Sequence, residues 1–79
     1  MSRTAFEETL KQKKSAEIYY YIAKFNEKID YYTNILNDEN LMQEKGLCSI
    51  TVRHQIVITE EKKMMCVREL EARNELSLN

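Results

Sequence analysis

The sequence contains no proline, no tryptophan, one glycine and one histidine among its 79 residues. Because proline and glycine are the residues that most often end helices, this composition favours long, uninterrupted helices. No apolar run approaches the roughly 20 residues that a membrane-spanning helix needs, and no apolar leader is recognisable near Met1. We therefore expect a cytoplasmic protein that does not contact the membrane.

Cysteine is also scarce. Cys48 and Cys66 are too few for the disulfide framework of a small secreted domain, which favours free thiols in a reducing compartment. Together with His54 they would supply three zinc ligands, but structural zinc takes four, usually with closely spaced cysteine pairs. We expect no bound metal and no other cofactor.

The sequence shows none of the common catalytic signatures. It has no phosphate-binding glycine loop, no HExxH and no nucleophile elbow, and its single histidine leaves little room for acid–base chemistry. The charges nearly balance, with 12 Lys and Arg against 13 Asp and Glu and a net charge of −1, which is not the basic surplus of a general nucleic-acid binder. We expect a protein that is not an enzyme.

The strongest pattern in the sequence is a line of apolar residues at alternating steps of four and three. This spacing puts the residues on one narrow face of an α-helix, as in the a and d positions of a coiled coil. We predict one helix over about residues 4–36, and we expect this face to be an interface with a second copy of the chain, in a homodimer or small oligomer. We call its members the seam: Ile18, Tyr21, Ile22, Phe25, Ile29, Tyr32 and Leu36.

Two further tyrosines, Tyr20 and Tyr31, lie on the opposite, charged side of the same predicted helix. They are eleven residues apart, which is close to three helical turns, so both rings share a face. This predicts a second, smaller contact surface. The alternative is that the two rings are solvated and pack on neighbouring lysine stems.

The middle of the chain, residues 37–59, is predicted to be a turn followed by irregular or strand structure. Residues 37–40 favour a turn, and Gly46 suits a left-handed backbone. From Cys48 to Ile58 apolar and polar residues alternate and many are β-branched, which favours a short half-buried strand. As a helix, the same stretch would place on one face Leu47, Ile50, His54, Val57 and Ile58. We favour the strand and keep the helix as the alternative.

Residues 42–56 resemble the helix-turn-helix of bacterial repressors. Gly46 stands at the turn glycine, Leu47 follows it as the buried apolar residue, and Thr51 opens the second helix. The stretch departs from that pattern at Met42 and Lys45, where a small residue is usual, and at Gln55, where an apolar one is usual. The resemblance implies a dimeric DNA-binding regulator whose second helix would present to the major groove Ser49, Thr51, Arg53 and His54.

A second long helix is predicted over about residues 60–76. Thr59 can cap it, and Glu60 and Glu61 are favourable at the positive end of the helix dipole. Its apolar residues lie on more than one face, so it must pack against the first helix or a partner. The predicted fold is mostly α, a single small domain over residues 1–79 with a shorter C-terminal helix folded back on a long N-terminal one, in coiled-coil-like packing.

A domain of this length buries limited apolar surface, which favours oligomerisation. We therefore expect a small regulatory or adaptor protein that binds another protein through helical surfaces, as a homodimer. A dimeric helix-turn-helix regulator that binds DNA is the alternative.

Overall fold

The computed structural model describes residues 3–74, which form four α-helices: α1 (Arg3–Lys11), α2 (Ser15–Leu36), α3 (Glu39–Glu44) and α4 (Ser49–Ala72). α2 packs along α4, α1 packs against α4, and the short α3 packs against α2. Ile18 near the start of α2 clusters with Cys66 and Leu70 near the end of α4, so the two long helices run antiparallel. The predicted fold class, a mostly α protein with a C-terminal helix folded back on a long N-terminal helix, is confirmed.

The predicted helix over residues 4–36 is interrupted. α1 ends at Lys11 and α2 begins at Ser15, with Lys14 in an extended conformation at its N-cap. The break faces Arg73, whose guanidinium donates hydrogen bonds to the carbonyl oxygens of Leu10 at 2.9 Å and Lys11 at 3.4 Å, and to Ser15 Oγ at 3.3 Å. The residues of the break are good helix formers, so the sequence gives no local sign of it.

The predicted strand over residues 48–58 is wrong, because this segment forms the first part of α4. A lone strand would leave its backbone groups without partners, whereas a helix pairs them internally, as in the 3.0 Å bond from Val52 N to Cys48 O. The alternative helical face is also wrong in detail. Ile50, His54 and Val57 are exposed, while Val52 is buried.

α4 begins eleven residues earlier than the predicted residue 60 and is not the shorter of the two long helices. It has 24 residues against 22 in α2, and therefore reaches along the whole of α2. It ends at Ala72, and Asn74 adopts a positive φ of 60° just beyond. The predicted continuation to Leu76 includes residues that lie outside the described part of the chain.

The core lies between α2, α4 and α1. Its central cluster contains buried Leu10, Ile18, Met65, Cys66 and Leu70, with half-buried aromatic and aliphatic side chains packed against it. At the other end of the helix pair, Ile35 and Val52 are buried. The coiled-coil character is visible in α4, where the buried residues Val52, Thr59 and Cys66 follow one another at steps of seven.

The connection between α3 and α4 depends on one glycine. Asp38 caps α3 by accepting a hydrogen bond from Leu41 N at 3.1 Å, and Gly46 follows the end of α3 with a φ of +64°. No atom lies within 4 Å of the position that a Cβ at residue 46 would occupy. The glycine is therefore required by its backbone conformation and not by a close contact.

Candidate functional site

The seam is largely covered by α4 of the same chain. Ile18 is fully buried, and the other six seam residues are half-buried, with Tyr21, Ile22 and Phe25 packed against the central core cluster. Ile18 is therefore not available to a second chain. The shorter C-terminal helix predicted from the sequence would cover only part of the seam, whereas α4, with 24 residues, is longer than α2. A seam interface between chains stays a prediction.

The far end of the seam differs by one residue from the predicted line. Ile35 is the residue that is fully buried there, whereas Leu36 is half-buried. The spacing of three and four predicts the correct face of α2 but not its buried centre at this end. The reason is that a straight α-helix drifts relative to a strict 3.5-residue repeat.

Tyr20 and Tyr31 lie on the outer side of α2, where their side chains are 59% and 52% exposed. The Lys24 ammonium lies 5.5 Å from the centre of the Tyr20 ring, and Lys24 Nζ also lies 3.5 Å from a carboxylate oxygen of Glu27. The Tyr31 ring meets the half-buried Tyr32 edge-to-face, with ring centres 5.5 Å apart. Each exposed ring is thus supported by a neighbour, a geometry that suits either a contact surface or the predicted lysine packing.

A third exposed surface lies on α4 and has no counterpart among the predictions from the sequence. Ile50, Val57 and Met64 are 76%, 51% and 46% exposed, and they follow one another along α4 at steps of seven. This spacing places them on one line, which we call the outer stripe, on the side of α4 opposite to Val52 and Thr59. The strand prediction concealed it, since the spacing of seven has meaning only once residues 49–58 are known to be helical.

Charged and polar residues flank the outer stripe in two blocks. Arg53 and His54 lie between Ile50 and Val57, and Glu60 and Glu61 lie between Val57 and Met64; all four are exposed. Arg53 and the imidazole of His54 therefore border one half of the stripe, and two carboxylates border the other half, with Arg68 beyond Met64. Val57 is at the midpoint between the two blocks.

The four residues proposed to read DNA are close in the chain, but Ser49 and Thr51 lie on nearly opposite sides of α4, because two residues span more than half a helical turn. Ser49, Thr51, Arg53 and His54 are all exposed in the first two turns of α4, which follow α3 and the Gly46 turn. The order of helix, glycine turn and helix matches the resemblance to repressors. The packing departs from it, because Leu47 is 37% exposed where a buried residue is expected, and α3 has only six residues.

The two cysteines occupy contrasting environments. Cys48 is exposed at the N-cap of α4, where its side chain makes no capping hydrogen bond; even so, the backbone N–H groups of Ile50 and Thr51 favour the thiolate and lower the pKa of its thiol. Cys66 is buried in the core, and burial raises the pKa of its thiol to about 11. Both are free thiols.

The main surface features of the described residues are exposed apolar and aromatic side chains on α2 and α4. Between residues 3 and 74 no group of three or more His, Cys, Asp or Glu side chains is placed to hold a metal ion. Within the same range, each buried side-chain nitrogen or oxygen has a hydrogen-bond partner, and no helix combines the length and apolar composition needed to cross a membrane. No family model, curated protein or solved structure matches this chain.

Proposed function

We propose that this protein is a non-catalytic regulatory or adaptor protein that binds another protein through exposed helical surfaces, and that it works as a homodimer. One observation carries the proposal: after α2 and α4 have closed the core, large apolar or aromatic side chains still form exposed lines on two separate helices. Contiguous exposed apolar surface commonly marks a site of interaction. We also propose a cytoplasmic location, which the two free thiols support.

The surface of Tyr20 and Tyr31 suits the other protein. Tyrosine combines a large apolar ring with a polar hydroxyl, and it is enriched among the residues that dominate binding energy at interfaces. The contacts of Tyr20 with Lys24 and of Tyr31 with Tyr32 restrict the rings before a partner arrives, which lowers the entropy lost on binding.

A capture experiment tests this surface. A tagged full-length chain is incubated with an extract of the source cells, beside a variant with Tyr20→Ser and Tyr31→Ser and a control variant with Glu39→Ser and Gln43→Ser, two exposed residues of α3. We expect the unmodified chain and the control to retain the same protein, and the tyrosine variant to bind it at least about tenfold more weakly. Equal capture by all three, or capture of nothing, would contradict the assignment.

The second candidate function is DNA binding, which the exposed set Ser49, Thr51, Arg53 and His54 beyond the Gly46 turn favours. A DNA-binding dimer should shift the mobility of duplex DNA, with an affinity that falls as salt is raised. Arg53→Ala should weaken binding, since an arginine can contact a guanine edge with two hydrogen bonds. No shift at low salt with a pool of random duplexes would exclude this candidate.

A further inference from the structure

We propose that the outer stripe of α4 is the homodimer interface, in which two copies of α4 pack antiparallel about a two-fold axis at Val57. The proposed function includes a homodimer but does not assign its interface. This inference assigns the interface to the outer stripe, and it rests on the proposed function only for the existence of a dimer. The outer stripe is separate from the seam, because the seam lies on α2 and is largely covered by the opposite side of α4.

In this arrangement the apolar residues of one copy lie opposite the apolar residues of the other copy. A two-fold axis at residue 57 places Val57 against the partner's Val57 and Ile50 against the partner's Met64. The stripe from Ile50 to Met64 extends about 21 Å along the helix at 1.5 Å per residue. Steps of seven keep such a line facing a second helix, as in a coiled coil.

The charged residues beside the outer stripe indicate that its partner is a second copy of the same chain. About the same axis, Arg53 faces the partner's Glu60 on one flank of the stripe, and His54 faces the partner's Glu61 on the other. Because the axis repeats each contact, the pair of chains gains four contacts between a basic or hydrogen-bond-donating group and a carboxylate. An arrangement in which a surface complements itself is what a two-fold dimer requires.

A parallel pair does not have this complementarity. With both copies of α4 running in the same direction, residues at the same height meet, so Glu60 lies beside the partner's Glu61 and Arg53 beside the partner's His54. Like groups placed opposite each other are unfavourable. The net charge of −1 per chain adds little general repulsion between two copies, so the local charges select the antiparallel direction.

The interface competes with the second candidate function. Arg53 and His54 would contact the partner in this dimer, whereas the DNA-binding candidate requires both to face a major groove. The two assignments are therefore mutually exclusive for one dimer. A substitution of Arg53 therefore has a different expected outcome under each assignment.

The test uses reversed charges in the full chain. Arg53→Glu alone places two carboxylates opposite each other across the interface, and Glu60→Arg alone places two guanidinium groups there. Each single variant should therefore dimerise at least about tenfold more weakly than the unmodified chain. The double variant carries both changes and restores the attraction between opposite charges. A mixture of the two single variants also restores it, but only between unlike chains.

Sedimentation over a range of protein concentrations measures these equilibria, and native mass spectrometry of the mixture separates homodimers from heterodimers. We expect the double variant to recover the dimer and the mixture to form heterodimers preferentially. Val57→Asp, at an exposed position, should give a monomer whose circular dichroism remains helical. The control pair Glu39→Arg and Lys45→Glu, on exposed residues near α3, should leave dimerisation unchanged.

A monomer at every concentration of the unmodified chain would overturn the inference. So would a dimer that is unaffected by Val57→Asp, since the interface would then lie elsewhere. A mobility shift of duplex DNA that persists when Val57→Asp has removed the dimer, and is lost with Arg53→Glu, would assign Arg53 to DNA instead. A monomer at every concentration would also contradict the homodimer in the proposed function, whereas a dimer unaffected by Val57→Asp would overturn this inference alone. The capture of a protein by Tyr20 and Tyr31 is tested independently of all these outcomes.

Discussion

The two sides of α4 carry residues at the same spacing of seven, yet only one side is covered. The covered side has Val52, Thr59 and Cys66 at this spacing, with Leu70 also buried, whereas the exposed side has Ile50, Val57 and Met64. Apolar character alone therefore does not decide which side faces α2. On the covered side, Cys66 and Leu70 pack with Ile18 of α2, and half-buried aromatic side chains of α2 lie against the same cluster.

The buried threonine is compatible with the core because its hydroxyl is satisfied locally. Thr59 Oγ1 donates a hydrogen bond to the carbonyl oxygen of Gln55 at 2.7 Å, one turn earlier in the same helix. Its methyl group can then face the core, and no polar atom is left without a partner. A threonine can therefore lie on the covered side of α4 without leaving a buried polar group unsatisfied.

The largest effect is expected from removing a leucine in the covered region. Leu70 has no exposed surface, so Leu70→Ala should lower the free energy of unfolding by about 2–5 kcal/mol through lost burial and the cavity that remains. Leu47→Ala removes the same atoms from a side chain that is 37% exposed and should cost clearly less, about 1 kcal/mol. Urea titration measures both. Equal losses would mean that burial in this structure does not describe the folded protein.

A smaller but still large effect is expected at Arg73, one further step of seven along the covered side. Its guanidinium lies 2.8 Å from a carboxylate oxygen of Glu69 and binds the end of α1, and both side chains of the ion pair are less than a third exposed. Arg73→Ala should lower the free energy of unfolding by roughly 1.5–3 kcal/mol, the usual range for hydrogen bonds to a charged group. Arg68→Ala, at an exposed arginine of the same helix, is the control and should change it by about 0.5 kcal/mol or less.

Arg73→Lys separates charge from geometry at the same site. Lysine keeps the positive charge beside Glu69 but lacks the planar fork that reaches Leu10 and Ser15 together, so it should recover only part of the loss. Hydrogen exchange should locate the remaining defect at the junction of α1 and α2. Full recovery by lysine would show that the backbone contacts of Arg73 contribute nothing to stability.

Two valines on opposite sides of α4 give the most direct test of the comparison. Val52 is 2% exposed and Val57 is 51% exposed, so the same substitution can be made five residues apart in one helix. Val52→Ala should lower the free energy of unfolding by about 2 kcal/mol, whereas Val57→Ala should change it by about 0.5 kcal/mol or less in dilute protein. Thermal or urea unfolding at low protein concentration provides the measurement, and the opposite ranking would reverse the orientation of α4.

The sequence predicted the α2 side of the core because that side is strongly patterned. Steps of three and four from Ile18 to Leu36 identified the covered face, with Ile35 instead of Leu36 as its buried end. The α4 side was not predictable in the same way. Its covered side contains Thr59, while Ile50 and Val57 are exposed, so the positions of the apolar residues alone do not identify the covered side.

Two further features could not be predicted, for different reasons. The alternation from Cys48 to Ile58 fits a strand locally, but residues 3–74 contain no second strand to pair with it. Packing against α2 favours the helix instead. The break after Lys11 depends on Arg73, which is more than sixty residues away in the chain, so no local pattern reveals it. Gly46, by contrast, was correctly expected at a left-handed position.

The mildest test leaves the sequence unchanged and compares the two thiols of α4. Because the pKa of Cys48 is lowered and its side chain is exposed, its reactive thiolate forms at a lower pH than usual, and reaction with a disulfide reagent at pH 8 should be fast. The pKa of Cys66 is about 11, so only ~0.1% is thiolate at pH 8, and burial also blocks access. One thiol per chain should therefore react in the folded protein, and the second only in urea. Cys48→Ser should remove the fast phase alone, and two equally fast thiols in the native state would show that the covered side of α4 is open to solvent.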